Sequence, residues 1–253
     1  MSFLAIWRSF VVLFLFAFFG GGALIISFVI FPFGAVFVKK ERRKRFYGGV
    51  IHKTWKFFTF LMQKSGIIKL VLTNGEKLEN IRGKIIVANH PSFIDIVLLI
   101  GLLPDTVCIA KKELKNNIFM GNIVKSLYLI NDEDNERLLR EAAGVLTEGF
   151  NIIIFPSGTR TVEGEELKLH KGAAMMALHT GADILPVYIH CDTKFLAKNQ
   201  KIYEAGENPV TYTITLNEVI KIADFAHSGG DLTKIQLRNR INRAIKEQIS
   251  RRF

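Results

Sequence analysis

The chain of 253 residues has only two cysteines, Cys108 and Cys191, and each stands alone in an apolar stretch. Isolated cysteines match neither the paired spacing of a zinc site nor a disulfide framework. Internal repeats and low-complexity linkers are also missing from the sequence. The sequence therefore favours one sizeable domain in a reducing compartment.

Charged side chains are absent from Ser9 to Val38. A helix of that length, rising about 1.5 Å per residue, exceeds the roughly 30 Å hydrocarbon core of a bilayer. The run is too long for a signal peptide, and the basic cluster 39–45 that ends it predicts a cytoplasmic flank. We predict that residues 1–45 form a membrane anchor with its basic flank.

Two arrangements of this anchor remain open. One tilted spanning helix would place Met1 outside the cytoplasm, whereas a hairpin that breaks at 20–22 would dip into one leaflet. In residues 46–66, aromatic and cationic side chains such as Trp55 and Lys56 are interspersed, which fits an interfacial helix or a helix packed on the core. We predict an interfacial amphipathic helix, with the domain that follows it on the cytoplasmic face of the inner membrane.

The formal charge of +11 and the pI near 9.7 predict an anionic partner. Next to an apolar anchor, the basic clusters 39–45 and 238–252 favour a membrane bilayer over nucleic acid, and we predict no nucleic-acid partner. The terminal cluster fits either a solvated helix face or a docking surface for an acidic carrier protein. A non-catalytic protein that binds anionic lipids is one class of function that this charge fits, and it stays open as an alternative to an enzyme.

Residues 67–253 alternate between strand and helix patterns, which predicts a single α/β domain. The predicted strands are 67–72, 84–88, 107–110, 128–130, 151–155, 184–190 and 211–222. The predicted helices are 92–102, the first part of 118–130, 133–148, 171–179 and a last basic helix capped by Asp231.

The segment from Ala88 to Asp95 joins a buried strand to a helix, where active residues of α/β domains usually lie. We expect Pro91 in the first helical turn, His90 just outside the helix and Asp95 one turn inside. The Asp95 carboxylate would then fold back towards the imidazole and fix its tautomer, so that His90 can remove a proton. No G-x-S-x-G serine is present, so a bound substrate hydroxyl would be the nucleophile.

A second segment, 155–160, also follows a buried strand. Gly158 permits close approach of a ligand to the backbone, and Arg160 is suited to hold a phosphate. Lys171 opens a helix and could add to an anion site. The histidines His170, His179 and His190 lack metal-ligand spacing.

Together these segments resemble the lysophosphatidic acid acyltransferase family, over roughly residues 40–230. The resemblance rests on N-H-P-S-F-I-D at 89–95, the segment 111–114, F-P-S-G-T-R at 155–160, and L-P-V at 185–187. It implies a sheet-and-helix acyltransferase domain over residues 67–253, behind the hydrophobic anchor.

The resemblance further implies that His90 deprotonates the hydroxyl of a lyso-lipid acceptor, which attacks the thioester of acyl-CoA or acyl-ACP. Asp95 would orient His90, and neither a metal nor a bound cofactor would be needed. The implied substrate-binding residues are Asn89, Ser92, Lys111, Ser157, Gly158, Thr159, Arg160 and Lys171.

Two departures from the family pattern bear on the acceptor. Ser157 stands where the family usually has glutamate, and the acidic segment 130–134 stands where the second motif usually ends in arginine. Carboxylates should repel a phosphate. This suggests, as a hypothesis, an acceptor other than ordinary lysophosphatidic acid, such as a specialised lyso-lipid with an amine-bearing or neutral head group.

Overall fold

The computed structural model describes residues 2–79, 81–132, 134–162, 167–202, 204–227 and 232–250. Its centre is a seven-stranded sheet in the order β1-β7-β6-β2-β5-β3-β4. The strands are β1 Ile68–Thr73, β2 Ile85–Ala88, β3 Thr106–Lys111, β4 Leu129–Asn131, β5 Asn151–Ile154, β6 Ile184–Cys191 and β7 Val210–Leu216. The predicted α/β class is confirmed.

Nine α-helices accompany the sheet in the described part of the chain. They are α1 Phe3–Ile25, α2 Phe31–Phe37, α3 Lys40–Lys64, α4 Asp95–Leu102, α5 Gly121–Leu127, α6 Asn135–Thr147, α7 Gly172–Thr180, α8 Ile222–His227 and α9 Lys234–Ile249. Along α9, Ile241, Ile245 and Ile249 are buried at four-residue spacing, which turns Arg240 and Arg243 to solvent.

The central strands explain where a site can form. β2 is fully buried and pairs in parallel with β5 on one side and β6 on the other. β5 in turn pairs in parallel with β3. The carboxyl ends of these strands therefore meet at one edge of the sheet, which places the segments 89–95 and 155–160 side by side.

The N-terminal apolar run forms one continuous helical segment, Phe3–Phe37, with a π-helical turn at Ile26–Ile30. It passes through 20–22 without a break, so the open alternative of a hairpin that bends at those glycines does not hold. The irregularity lies at the π turn instead, where Asn122 donates to the Ser27 carbonyl and the Ser27 hydroxyl bonds the Phe119 carbonyl. Competing side-chain bonds of this kind are a recognised cause of a local change in helix pitch.

The chain reverses at Val38 and Lys39, both extended, and α3 then runs back along α1. Near the reversal, the Phe31 and Tyr47 rings stack with centroids 4.0 Å apart. Midway, Phe19 contacts Phe58 at 4.9 Å. The helical hairpin therefore has its bend at 38–39, where the backbone is extended.

Arg8 fastens the other end of α1 to the domain. Its guanidinium donates to the carbonyls of Gly66, Ile67 and Asn208 at 2.7, 3.2 and 2.8 Å, and the residue is only 6% exposed. Both ends of the long helix thus touch the body that follows it in sequence. The division into segments 1–45, 46–66 and 67–253 stays a prediction, although α3 runs unbroken across its first boundary.

Three predicted element boundaries are wrong. Helix α4 begins at Asp95 rather than at Ser92, because the Ser92 hydroxyl and the Phe93 N–H both bond carbonyls of the segment 195–196. β7 ends at Leu216 and does not continue to 222.

The last helix is capped by Thr233, in a reciprocal arrangement with Gln236, and not by Asp231. Asp231 itself lies outside the described residues.

Candidate active site

His90 and Asp95 meet at the carboxyl end of β2. The Nδ1 atom of His90 lies 2.8 Å from Oδ2 of Asp95, which also accepts the backbone N–H of Ser92 at 2.8 Å. An ionised carboxylate can only accept, so Nδ1 carries the proton in this arrangement and Nε2 has a free lone pair. The local geometry differs from the prediction, since Pro91 lies outside the helix and Asp95 is its first residue.

Burial sets the electrostatics of the pair. Asp95 is completely buried, whereas the His90 side chain is 19% exposed. Complete burial raises the pKa of Asp95 above its ordinary value of 3.8, although hydrogen bonds from His90 and Ser92 and the nearby Arg160 favour the charged form. The imidazole also stacks on Phe155 with centroids 4.3 Å apart, which limits its rotation.

Two predicted substrate-binding residues instead hold the site together. Ser92 is fully buried, and its hydroxyl donates to the Phe195 carbonyl and accepts from the Tyr212 hydroxyl. Asn89 uses both ends of its amide on the backbone of Ile189, at 2.7 Å each. These contacts pin the end of β2 to β6 and to β7, so the geometry gives Ser92 and Asn89 a positioning role.

The segment 155–160 lies against His90 through its backbone. The Thr161 N–H donates to the His90 carbonyl at 2.7 Å. Gly158 adopts φ +65°, a conformation that favours glycine, and faces the His170 ring. Arg160 directs Nη1 to the carbonyls of Leu196 and Ala197, so this nitrogen is engaged in joining two loops.

An apolar cavity of about 440 Å³ opens beside His90. Of the predicted site residues, it brings together His90, Lys111 and Gly158. Its other walls include Phe19 from α1 and Trp55 from α3. The N-terminal helices therefore form part of the site, in addition to any role in attachment.

The remaining predicted site residues lie outside this cavity. Ser157 bonds its own hydroxyl to the Thr159 carbonyl. Thr159 and Lys171 are exposed, and Lys171 precedes the first residue of α7. Their assignment to substrate binding stays a prediction.

Several polar residues that line the cavity were missed by the sequence reasoning. His170, Asn131, Asn135 and Tyr128 all contribute to its walls. The position of His170 in the sequence follows no motif spacing that would indicate a function. In the structure its backbone N–H donates to the Pro156 carbonyl, which holds the residue beside the site. Asn131 is the last residue of β4, so a search for polar residues at the carboxyl ends of the predicted strands would have indicated it.

The acidic segment after β4 is compensated in the structure. Asp132 pairs with Arg137 from the first turn of α6. Partial burial raises the pKa of Asp132. The Asp134 N–H and the Arg137 guanidinium, with a smaller contribution from Lys115, outweigh this effect and hold the pKa of Asp132 below its ordinary value. Arg137 from the next helix therefore offsets part of the negative charge that the sequence places in this segment.

A second cavity of about 900 Å³ lies on the other side of the segment 89–91. Asn89 and Pro91 line it, together with the described lysines Lys194, Lys198 and Lys246. The short segment around His90 thus separates an apolar cavity from a more polar one.

The fold is shared with a solved acyltransferase of glycerolipids. The structure superposes on the crystal structure of the 1-acyl-sn-glycerophosphate (LPA) acyltransferase PlsC from Thermotoga maritima with a TM-score of 0.68. The match has 25% identity and covers 97% of this chain and 99% of that one. A family model described as Acyltransferase matches residues 69–190.

Curated relatives point the same way. The 1-acyl-sn-glycerol-3-phosphate acyltransferase of Borreliella burgdorferi is 30% identical over 62% of this chain and 65% of the relative. That of Bacillus subtilis is 28% identical over 69% of this chain and 85% of the relative. The match thus spans less than two thirds of the Borreliella protein. Residues 69–190 thus match the acyltransferase family model, and the chain is similar to these 1-acyl-sn-glycerol-3-phosphate acyltransferases.

Proposed function

We propose that the protein transfers a fatty acyl group from a thioester donor to the hydroxyl of a lyso-lipid at a membrane. The observation that carries this proposal is the His90–Asp95 pair, held at 2.8 Å and opening into an apolar cavity. An activated base beside a space for hydrocarbon is what such a reaction requires.

The chemistry follows from the free Nε2 of His90. Nε2 removes the proton of the acceptor hydroxyl as its oxygen bonds to the thioester carbonyl carbon. The carbon–sulfur bond then breaks, and the leaving thiolate takes the proton from the imidazolium. Asp95 stabilises the imidazolium while it exists and keeps the proton on Nδ1 at other times. His90 is neutral again once the thiolate has taken the proton, so the pair is ready for another turnover.

The acyl chain would occupy the 440 Å³ cavity, whose walls are mainly apolar. Either acyl-CoA or acyl-ACP could deliver it, since both present the same thioester. Arg240 and Arg243 are exposed on α9 and would bind an acidic carrier protein favourably. Exposed arginines are equally compatible with a helix face that meets only solvent.

For the acceptor we propose a 1-acylglycerol-3-phosphate-like lyso-lipid. The names of the relatives from Borreliella and Bacillus support this choice. The ion pair of Asp132 with Arg137 removes part of the expected repulsion of a phosphate. Lys111 and His170 line the cavity and could meet an anionic head group.

We propose that the helical hairpin lies along one leaflet instead of spanning the bilayer. The segment Phe3–Phe37 is the one helix, among those described, that is long and apolar enough to cross. Arg8 and Phe31 nevertheless hold both its ends against the rest of the protein. A spanning arrangement would carry the lysines of α3, such as Lys53 and Lys56, into hydrocarbon at high cost.

The outward face of the hairpin supports an in-plane position. Large apolar side chains that are at least 45% exposed run along its whole length and beside the site. They include Phe3, Trp7, Phe10, Phe14, Phe18, Phe28, Phe33, Phe37, Phe57, Phe60 and Phe93. Phe93 also contacts Phe16 of α1 and lines the cavity, which would give a lipid substrate a direct path to His90. We place this face on the cytoplasmic leaflet of the inner membrane.

The proposal is tested by product formation in detergent. The purified protein is offered labelled acyl-CoA and acyl-ACP with a panel of lyso-lipids, and products are weighed by mass spectrometry. His90→Ala should lower turnover at least about a thousandfold. His179→Ala is the matched control, because His179 is exposed on α7 and does not line the cavity. If His90→Ala retains turnover, the mechanism is wrong.

A lack of product with every acceptor, while the protein still binds anionic liposomes, would favour the non-catalytic lipid binder. The acceptor is tested separately with Asp132→Arg combined with Ser157→Glu. If the acidic segment repels phosphate, this double variant should use lysophosphatidic acid better relative to neutral lyso-lipids. If wild type already prefers lysophosphatidic acid, the specialised-acceptor hypothesis is wrong.

A further inference from the structure

The carboxylate of Asp95 is held through one of its two oxygens. Oδ2 accepts the backbone N–H of Ser92 and lies 2.8 Å from Nδ1 of His90. Oδ1 has no hydrogen-bond partner within the described part of the chain, and the whole residue is buried. Among the described residues, the donor that fixes this carboxylate, apart from His90 itself, is therefore the Ser92 N–H.

The position of Ser92 depends on its hydroxyl. Helix α4 begins only at Asp95, so Ser92 lies outside the regular helix. The Ser92 hydroxyl donates to the Phe195 carbonyl at 2.8 Å and accepts from the Tyr212 hydroxyl at 2.7 Å. Phe195 belongs to the loop that follows β6, whereas Tyr212 belongs to a strand. The contact with Tyr212 is thus the one that joins Ser92 to the sheet.

Tyr212 is a rigid donor. Its strand, β7, pairs with β1 on one side and with β6 on the other, and the residue is completely buried. Burial raises the pKa of Tyr212 well above its ordinary value, with smaller contributions from Cys191 and Asp95, so the phenol stays a neutral donor. A hydroxyl fixed in this way gives Ser92 a constant point of reference.

We propose that Tyr212 positions the His90–Asp95 pair. It acts through Ser92, in a chain of three hydrogen bonds of 2.7, 2.8 and 2.8 Å that ends at the imidazole. The inference rests on the proposed acyl transfer. Without the first bond, Ser92 keeps only its contact with a loop, so Nε2 spends less time aimed at the acceptor hydroxyl. Tyr212 lies outside residues 69–190, so the match to the family model assigns it no role.

The kinetic test removes single hydroxyl groups. Tyr212→Phe keeps the ring, and we expect kcat to fall about tenfold while KM changes by less than about twofold. Ser92→Ala keeps the N–H that bonds Asp95 and should show a loss of the same kind. The double variant should be no slower than Ser92→Ala alone, because the two hydroxyls form one contact.

The matched control is Tyr47→Phe. It also removes one buried hydroxyl, which donates to the Phe31 carbonyl at 2.9 Å away from the site, so kcat should stay at the wild-type value. An unchanged kcat in Tyr212→Phe, or losses that multiply in the double variant, would overturn the inference. Full kcat in Ser92→Ala would overturn it as well, even if Tyr212→Phe failed to fold.

Nuclear magnetic resonance supplies a readout that does not need turnover. The Nδ1 proton of His90 is bonded to a carboxylate, which moves its resonance away from those of the backbone amides. Loss of the signal in His90→Ala assigns it. The resonance should shift and broaden in Tyr212→Phe but not in Tyr47→Phe, and identical spectra in both would overturn the inference. If wild type transfers no acyl group from any donor while Tyr212→Phe shifts this resonance, the acyl transfer is wrong and the positioning by Tyr212 stands.

Discussion

The end of β2 relies on a few specific hydrogen bonds, whereas the outer face of α1 presents many similar apolar side chains. Around His90, a few buried polar atoms are joined by short hydrogen bonds, and each bond fixes the position of one reacting group. Along α1, many large apolar side chains face outward, and Arg8 fastens the amino end through three hydrogen bonds. The proposed chemistry at β2 therefore depends on single contacts, whereas the proposed attachment to a membrane is a sum of many similar ones.

The largest effect is expected at Asp95. Asp95→Asn keeps the size of the side chain but removes the charge that stabilises the His90 imidazolium. We expect kcat to fall by roughly a thousandfold, with little change in KM. Steady-state kinetics in detergent measures this. A loss in KM alone would mean that Asp95 contributes to binding rather than to the chemistry.

The stability of the same variant should behave differently. Burial raises the pKa of Asp95 above 3.8, so the folded protein binds this proton at a higher pH than the unfolded chain does. The free energy of unfolding therefore falls as pH rises from about 3.8 through the folded pKa. The amide of Asp95→Asn cannot titrate, so the melting temperature of wild type should drop relative to that of the variant over that pH range. Parallel melting curves would show that the buried carboxylate costs nothing.

The next largest effect is expected at Arg8, and it concerns the stability of the fold. Arg8→Ala leaves the carbonyls of Gly66, Ile67 and Asn208 without their charged donor. We expect a loss of about 2–4 kcal/mol and faster proteolysis of α1, while the His90–Asp95 pair is untouched. Lys56→Ala is the control, since Lys56 is exposed on α3. Unchanged protease resistance would mean that the apolar contacts of α1 alone hold the helix.

The smallest effect per residue is expected on the apolar face. Phe10→Ser with Phe14→Ser, which are 67% and 65% exposed, should weaken liposome binding by about tenfold or more. The melting temperature in detergent should hardly change. Ile235→Ser is the matched control, because Ile235 is 62% exposed on α9, away from the hairpin. Equal binding by both variants would exclude the hairpin face as the membrane surface.

Local patterns predicted much of the fold. The apolar runs at 85–88 and 151–154 are buried strands, as continuous hydrophobicity indicates for a helix-covered parallel sheet. The order of the sheet could not be predicted, since β1 pairs with β7, and β2 lies between β5 and β6, across long stretches of sequence. The start of α4 was missed for the same reason, because the segment 195–196 holds Ser92 and Phe93 outside the helix.

The sequence by itself determined the pairing of His90 with Asp95, the apolar N-terminal run and the resemblance to lipid acyltransferases. These depend on residues close in the chain, whose spacing and local propensities are visible directly. The tertiary structure decided that α3 runs back along α1, that Arg137 pairs with Asp132, and that Phe19 and Trp55 line the cavity of His90. Such contacts join distant or differently folded segments, and only the packing of the whole chain determines which side chains meet.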